Sequence, residues 1–291
     1  LGDVYKRQLL PTANRKLTTF KTSEPRNFAE RAGAPFNRVA YAAAHVVPDI
    51  KGNHDPWVKT AIDWDQTINF RRHLWGLGLG VAEAMDTAQR GMGLDWATSM
   101  ELVRRSVEAS RDTPNALLAS GAGTDHLEPN PKLKLDDVIH AYEEQCEAVE
   151  KAGSRVILMA SRALALCATS AEDYGYVYGR VLSQVREPVI IHWLGEMFDP
   201  SLKGYWGSTH LDDAMTSCLD VLKQNTDKIE GIKISLLDKN KEIQLRRRLP
   251  AGIRMYTGDD FNYGLDRMSI ISEICALWRI PKKKINSGLQ T

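Results

Sequence analysis

Short apolar segments alternate with helix-length amphipathic ones along this chain, and that alternation constrains its fold more than any other feature. The strand-like segments are 38–47 (RVAYAAAHVV, closed by Pro48), 80–85, 116–120, 155–160, 188–193, 231–235 and 253–257. Between them, apolar spacing near 3.6 predicts helices over 63–77, 95–111, 135–152, 170–185, 211–229 and 239–248. Asp63 or Asp65 and Ser170 are positioned as N-caps, and Gly153 as a C-terminal stop. Several strands are almost continuously apolar, as parallel strands covered on both faces are. Repeated strand–helix units leave two architectures, a doubly wound sheet or a barrel. The run GLGLG at 76–80 precedes a strand instead of following one, so it is no dinucleotide fingerprint. An α/β fold of the (β/α)8 TIM-barrel type is therefore expected. It is expected to be incomplete, because seven strands are readable, 268–278 reads as a helix, and the eighth strand is missing.

Three regions follow from this reading: an irregular, turn-rich N-terminal lead-in (1–35), a barrel domain (36–263) and a divergent tail (264–291). The chain opens on Leu1, not Met, and 1–8 follow no pattern. With the missing strand, this suggests a truncated or chimeric fragment whose first and seventh strands keep unpaired edges, and hence poor solubility or activity. Lys plus Arg number 38 and Asp plus Glu 37, a net charge of +1. There is no basic excess to serve a nucleic acid or an acidic membrane. No apolar run reaches the roughly 18 residues of a membrane span. Cys146, Cys167, Cys218 and Cys275 form no C-x-x-C pair and point to no zinc motif. With no secretory signal at the N-terminus, a reducing cytoplasm is the expected location.

Barrel active sites lie at the C-terminal ends of the strands. Those ends carry His45; Glu83, Asp86 and Thr87; Thr124, Asp125 and His126; Ser161 and Arg162; His192, with Glu196 beyond; Lys233; and Asp259 and Asp260. Lys233 stands out, since lysine is almost never fully buried unless paired or functional. It sits between Ile232 and Ile234, so alternation turns it away from both. If the isoleucines pack under helices, Lys233 points inward, where desolvation favours a nucleophilic neutral amine. A lysine paired with an interior carboxylate is the plainer alternative. His192, at the end of an apolar strand, suits acid–base work near neutral pH, or is simply held by a backbone carbonyl. Gly258-Asp259-Asp260 reads equally as a turn.

Three of these segments, in this order, resemble the dihydrodipicolinate synthase and N-acetylneuraminate lyase superfamily of (β/α)8 class I aldolases. The G-I-K strand is matched at Gly231-Ile232-Lys233, the P-(V/I)-(I/L)-L-Y strand at 188–192, and the S-G-D-D segment at 257–260. His192 stands where that superfamily has its catalytic tyrosine. The G-T-T-G-E loop is weakly matched by AMDTAQ at 84–89, which puts Thr87 on a carboxylate-binding threonine and Asp86 in place of the other. Asp86 would repel a substrate carboxylate unless protonated or metal-bound. The wording of RVAYAAAHVV, GLGVAEAMDTAQRGMGLDW, PVIIHWLGEMFDP, GIKISLLD and RMYTGDDFNY is similar to a bacterial dihydrodipicolinate synthase-like branch carrying a domain of unknown function. That similarity covers about 25–263.

The resemblance implies a lyase without a cofactor. Lys233 would form a Schiff base with a 2-oxo acid or related carbonyl compound, and His192 would shuttle the proton. Thr87, Asp86, Arg162 and Asp259 would hold the substrate, Arg162 as a charge-assisted clamp. The expected partner is a small carbonyl substrate, and a full-length chain would form a homo-oligomer. The alternative is a metal-dependent sugar isomerase, epimerase or hydrolase. Glu83, Asp86, His126, His192 and Asp259 would then ligate Mn2+, Mg2+ or Zn2+, leaving Lys233 as an acid–base group. A scaffold without catalysis is a third reading.

Overall fold

The computed structural model describes residues 7–21, 38–55, 58–86, 89–90, 93–258 and 276–279 of the 291-residue chain. The chain divides into two units, 1–34 and 35–291. The first contains a hairpin of β1 (Arg7–Pro11) and β2 (Leu17–Lys21), paired antiparallel with Leu10 opposite Thr18. An irregular lead-in was expected here, and the hairpin corrects it. All ten strand residues are exposed, so no buried face imprints an alternating pattern on the sequence.

The second unit is built on an eight-stranded sheet in which, among the described residues, seven strands run parallel. They are β3 (Val39–Ala42), β4 (Gly80–Glu83), β5 (Leu118–Ala122), β6 (Arg155–Leu158), β7 (Val189–Leu194), β8 (Ile229–Ser235) and β9 (Arg254–Thr257), side by side in chain order. Helices α1 (Trp64–Gly76), α2 (Trp96–Arg111), α3 (Leu135–Ala152), α4 (Arg162–Cys167), α5 (Ala171–Gln184), α6 (Leu211–Gln224) and α7 (Lys239–Arg248) lie between them. Local chemistry sets their ends. The Asp63 side chain accepts from the Gln66 N–H, the Asp95 side chain from Thr98, and Gly153 closes α3 at φ 95°. Two expectations need adjusting. Helix α4 occupies part of 161–169, where no element was expected between the strand and the next helix, and α6 ends at Gln224, short of 229.

The tail corrects a further expectation. Residues 276–279 form a strand, β10 (Ala276–Arg279), not part of a helix. It pairs antiparallel with β3, Leu277 opposite Tyr41, and lies beside β9. The edge of β3 is therefore covered, and by a strand of opposite direction to the one a (β/α)8 repeat would supply.

The curled sheet buries two faces. Its convex face packs Val156, Leu158, Ile191, Ile232 and Ile234 against α3, α5 and α6 through side chains such as Val138, Tyr142, Leu182 and Met215. Each such burial contributes about 1.5–3 kcal/mol before the entropic cost of ordering. The concave face is lined by Tyr41, Ala82, Ala119, Ile157, Ile190 and Tyr256. Its N-terminal end is tied by Glu230, the extra residue where the β7–β8 register shifts. Glu230 binds Arg155 at 3.2 Å and Arg254 at 2.5 Å, and accepts from the Tyr256 hydroxyl at 3.1 Å. Among the described residues no helix is long and apolar enough to cross a membrane.

Candidate active site

Strands β7, β8 and β9 align His192, Lys233 and Tyr256 in one row across the sheet. Ile232 and Ile234 lie on the convex side, so alternation places Lys233 on the concave one. His192 is fully buried and Lys233 is 8% exposed. His192 Nδ1 lies 3.3 Å from Asp86 Oδ2, and its Nε2 lies 3.4 Å from Ser235 Oγ. Ser235, two residues beyond Lys233, shares its face. Gly258 gives these groups room, because a Cβ there would sit 2.9 Å from Ser235 Oγ and 3.0 Å from Lys233 Cε. Burial lowers the His192 pKa from its ordinary value of 6.5, and the Lys233 charge lowers it further, while Asp86 opposes both. The neutral imidazole that results is equipped to accept a proton at neutral pH.

Asp86 reaches this row through an irregularity. Ala82 faces the concave side and Glu83 the convex one, and then Ala84 adopts a left-handed φ of 53°. Such a conformation costs a non-glycine residue about 1–2 kcal/mol. The turn lays the Ala84 carbonyl over Gly121, where a Cβ would come within 2.5 Å of it. Met85 follows into the concave core, held by its N–H to Gln89 Oε1 at 2.9 Å.

Glu83 is not part of this site. It is buried under α1 and α2, where Arg71 grips both its oxygens at 2.9 and 2.8 Å and Ser106 donates at 2.6 Å. Arg71 also donates to the carbonyls of Ala44 and His45, so the group fastens β4 to α1 and to the segment after β3. His126 is also placed elsewhere, corrected by its partners. Its Nε2 meets Glu144 at 3.2 Å, its Nδ1 meets Gln145 Nε2 at 2.7 Å, and its ring stacks on Trp96. Among the described residues no three His, Cys, Asp or Glu side chains gather as a metal site. The donor set of the metal alternative does not fit one ion, since Glu83 and His126 are engaged apart from His192.

A cavity of about 80 Å³ opens beside Asp86. Its wall includes Asp86, Arg90, Thr124, Asp125, Arg162 and Asp199. His192 and Lys233 lie outside this wall, and Asp86 links the two places through its contact with His192. Arg90 holds Asp125 through Nε at 2.9 Å and through Nη2, and donates to the Gly121 carbonyl at 2.9 Å and to Gln145 at 2.5 Å. Burial pushes the Asp125 carboxyl up, but the charge and hydrogen bonds of Arg90 outweigh it and hold the group below its ordinary value. Half-exposed Arg162 meets Asp199 at 2.5 Å. The loop bearing Asp199 is pinned by Tyr205, whose hydroxyl accepts from the Ser161 N–H at 3.1 Å and bonds Tyr178 at 2.9 Å.

The structure thus brings together Lys233, His192 and Asp86, and sets Arg162 on the wall Asp86 shares. Thr87, Asp259 and Asp260 lie outside the described residues. Sequence reasoning passed over Ser235, although strand alternation from Lys233 marks it. It also passed over Arg90 and Asp199, which are loop residues without periodicity to mark them.

Structural comparison finds the same fold in dihydrodipicolinate synthase from Bacillus anthracis (TM-score 0.57, 17% identity, covering 81% of this chain and 69% of that one). It also finds it in 4-hydroxy-tetrahydrodipicolinate synthase from Methylacidiphilum fumariolicum (0.54, 17%, 76% and 61%) and 2-keto 3-deoxygluconate aldolase from Picrophilus torridus (0.51, 13%, 78% and 69%). No curated protein matches the sequence. The profile of one family, described as "Protein of unknown function (DUF993)", matches residues 8–266. With most of its length matched, this chain belongs to that family.

Proposed function

We propose that this protein is a class I carbon–carbon lyase or aldolase that binds a 2-oxo acid or related carbonyl compound as an imine on Lys233. The observation that carries the reading is the placement of Lys233 beside His192, in register on adjacent strands toward the C-terminal end of a concave parallel sheet. That end is where barrel enzymes place their chemistry. The activities named for the structural neighbours, two synthases and an aldolase, agree with it.

In this reading the neutral Lys233 amine attacks the carbonyl carbon. The carbonyl oxygen leaves as water after taking up protons, and a protonated imine remains. Cleavage of the adjacent C–C bond sends its electron pair into the imine and leaves an enamine, while the other fragment departs as a carbonyl. His192 accepts the proton released by that fragment's hydroxyl and returns one to the enamine carbon. Hydrolysis then frees Lys233. The imine is itself the electron sink, so these steps call on no metal or organic cofactor. Asp86 orients His192 and contacts substrate, Arg162 holds a polar substrate group, and Thr87 and Asp259 supply further contacts. The test is a panel of 2-oxo acids and sugar-derived carbonyl compounds offered to wild type and Lys233→Ala. Turnover confined to wild type is expected, and turnover by Lys233→Ala at the wild-type rate contradicts the reading.

A further inference from the structure

We infer that Gln145 is a positioning residue that fixes Arg90 and Asp125 on the cavity wall, and that His126 holds Gln145 in its working orientation only while its imidazole is neutral. The inference rests on the imine reading for the assignment of the cavity to substrate. Gln145 lies on the face of α3 that carries Val138, Tyr142 and Val149 into the core, and it has no exposed surface. An amide buried there costs free energy unless its polar groups are paired. All four hydrogen-bonding positions of this one are taken. Its Oε1 accepts from Arg90 Nη2 at 2.5 Å and from the Gly123 N–H at 2.7 Å. Its Nε2 donates to Asp125 Oδ1 at 2.9 Å and to His126 Nδ1 at 2.7 Å. A guanidinium and a peptide N–H only donate, and a carboxylate only accepts, so these partners allow the amide one orientation. His126 Nδ1 is then an acceptor. The imidazole is neutral, and its Nε2–H donates to Glu144 at 3.2 Å.

Both groups that Gln145 holds are part of the cavity wall. Arg90 also interacts by charge with Asp86, which lies 3.3 Å from His192. The hold on Arg90 is thereby passed to the carboxylate that orients His192. A second proton on His126 turns Nδ1 into a donor aimed at the Gln145 NH2. Gln145 cannot turn over to meet it. A reversed amide would set its NH2 against Arg90 and the Gly123 N–H, and its oxygen against Asp125. One contact of the set has to open, and a buried polar group left without a partner is costly. The groups facing the imidazole are Glu144 from α3, Asp125 beside it in the same loop, Arg90 through Gln145, and the uncharged ring of Trp96 at the start of α2. Glu144 draws the second proton in by charge, while Gln145 offers it no acceptor. The two sides of the ring thus make the cavity wall sensitive to acid.

The test compares wild type with Gln145→Leu, His126→Leu and His126→Asn. Leucine removes the amide or the acceptor. Asparagine keeps an accepting oxygen near the place of Nδ1 and does not titrate. One readout is deuterium exchange at the Gly123 N–H, with proteins compared at equal pH. The other is the pyruvate concentration that gives half-maximal adduct with cyanoborohydride. At pH 7.5 both leucine variants are expected to speed Gly123 exchange and raise half-saturating pyruvate, Gln145→Leu by about tenfold in each. The trapping rate at saturation should stay within about twofold, because Lys233 is untouched. His126→Asn is expected to restore both readouts. At pH 5.5 wild type should move toward His126→Leu, while His126→Asn does not. Wild-type exchange at Gly123 in both leucine variants, or an acid response in His126→Asn equal to that of wild type, would overturn the proposal. If Gln145→Leu does not fold, the two His126 variants decide it. No adduct on wild type at any pyruvate concentration would remove the imine reading for this 2-oxo acid, and Gly123 exchange would still decide this inference. An adduct with all variants matching wild type would keep the imine and sink the positioning role.

Discussion

Glu83 and Asp86 lie three residues apart at the end of β4 and are built in opposite ways. Glu83 and Arg71 have no exposed side-chain surface, and their two contacts are short, parallel and joined by Ser106. The Asp86–His192 and His192–Ser235 contacts, at 3.3 and 3.4 Å, are longer and strung end to end. Tight bidentate geometry holds charges still and suits a joint between strand and helices. Longer contacts along a carboxylate, an imidazole and a hydroxyl hold no charge so firmly, which the proposed acid–base role of His192 requires. Burial of a charged residue is therefore a poor mark of function by itself, and the geometry of its partners separates joint from site.

The sharpest way to break this comparison is to remove one member of each region. Arg71→Ala strands Glu83 without its cation and is expected to cost about 3–5 kcal/mol in urea unfolding. Lys233→Met places a similar-sized apolar side chain at a position argued to serve chemistry, and is expected to cost less stability than Arg71→Ala. Equal losses would mean that both regions are joints. Next, His192→Phe is expected to lower kcat by about 10²- to 10⁴-fold with an unchanged near-ultraviolet circular dichroism spectrum. A kcat within twofold of wild type would take His192 out of the chemistry.

Gly258→Ala sharpens the site from the opposite wall. Its Cβ would crowd Ser235 Oγ and Lys233 Cε, for an expected stability loss of about 1–3 kcal/mol and a larger fall in kcat than in thermal stability would suggest. Wild-type kinetics would show that the row has slack. The smallest effect is in pH dependence. The folded pKa of His192 lies below its ordinary 6.5, so the unfolded chain binds more protons in between. Its contribution to stability is complete above about 6.5 and is lost as pH falls toward the folded value. The acid limb of kcat follows the same lowered pKa. Asp86 opposes the lowering, so Asp86→Asn is expected to move that limb to still lower pH, and a shift upward would reverse the assigned sign.

The readable parts of this molecule are those fixed by near neighbours in sequence. Helix α3 begins and ends where its acidic first turn and Gly153 say it does. The alternation around Lys233 gives its face directly, and the same rule applied from Ala82 would have turned Glu83 outward. Asp86 escapes that rule, because the left-handed residue at Ala84 breaks the two-residue period before it. Strand β10 depends on pairing with β3, more than two hundred residues earlier, which no local pattern records. His126 and Arg90 take their places from Gln145 on α3, and the loop bearing Asp199 is fixed through Tyr205, all distant in sequence. Their residue types alone suit a metal ligand, a surface cation or a cap equally well.

The most direct measurement is the location of the covalent adduct. Wild-type protein is reduced with borohydride in the presence of a turned-over carbonyl substrate, digested with trypsin and mapped by mass spectrometry. An adduct on Lys233 blocks cleavage after that residue, so the account predicts one peptide, 229–239, carrying the reduced substrate mass. An adduct on a different lysine, or turnover that leaves peptide 229–233 unmodified and fully cleaved, would contradict it.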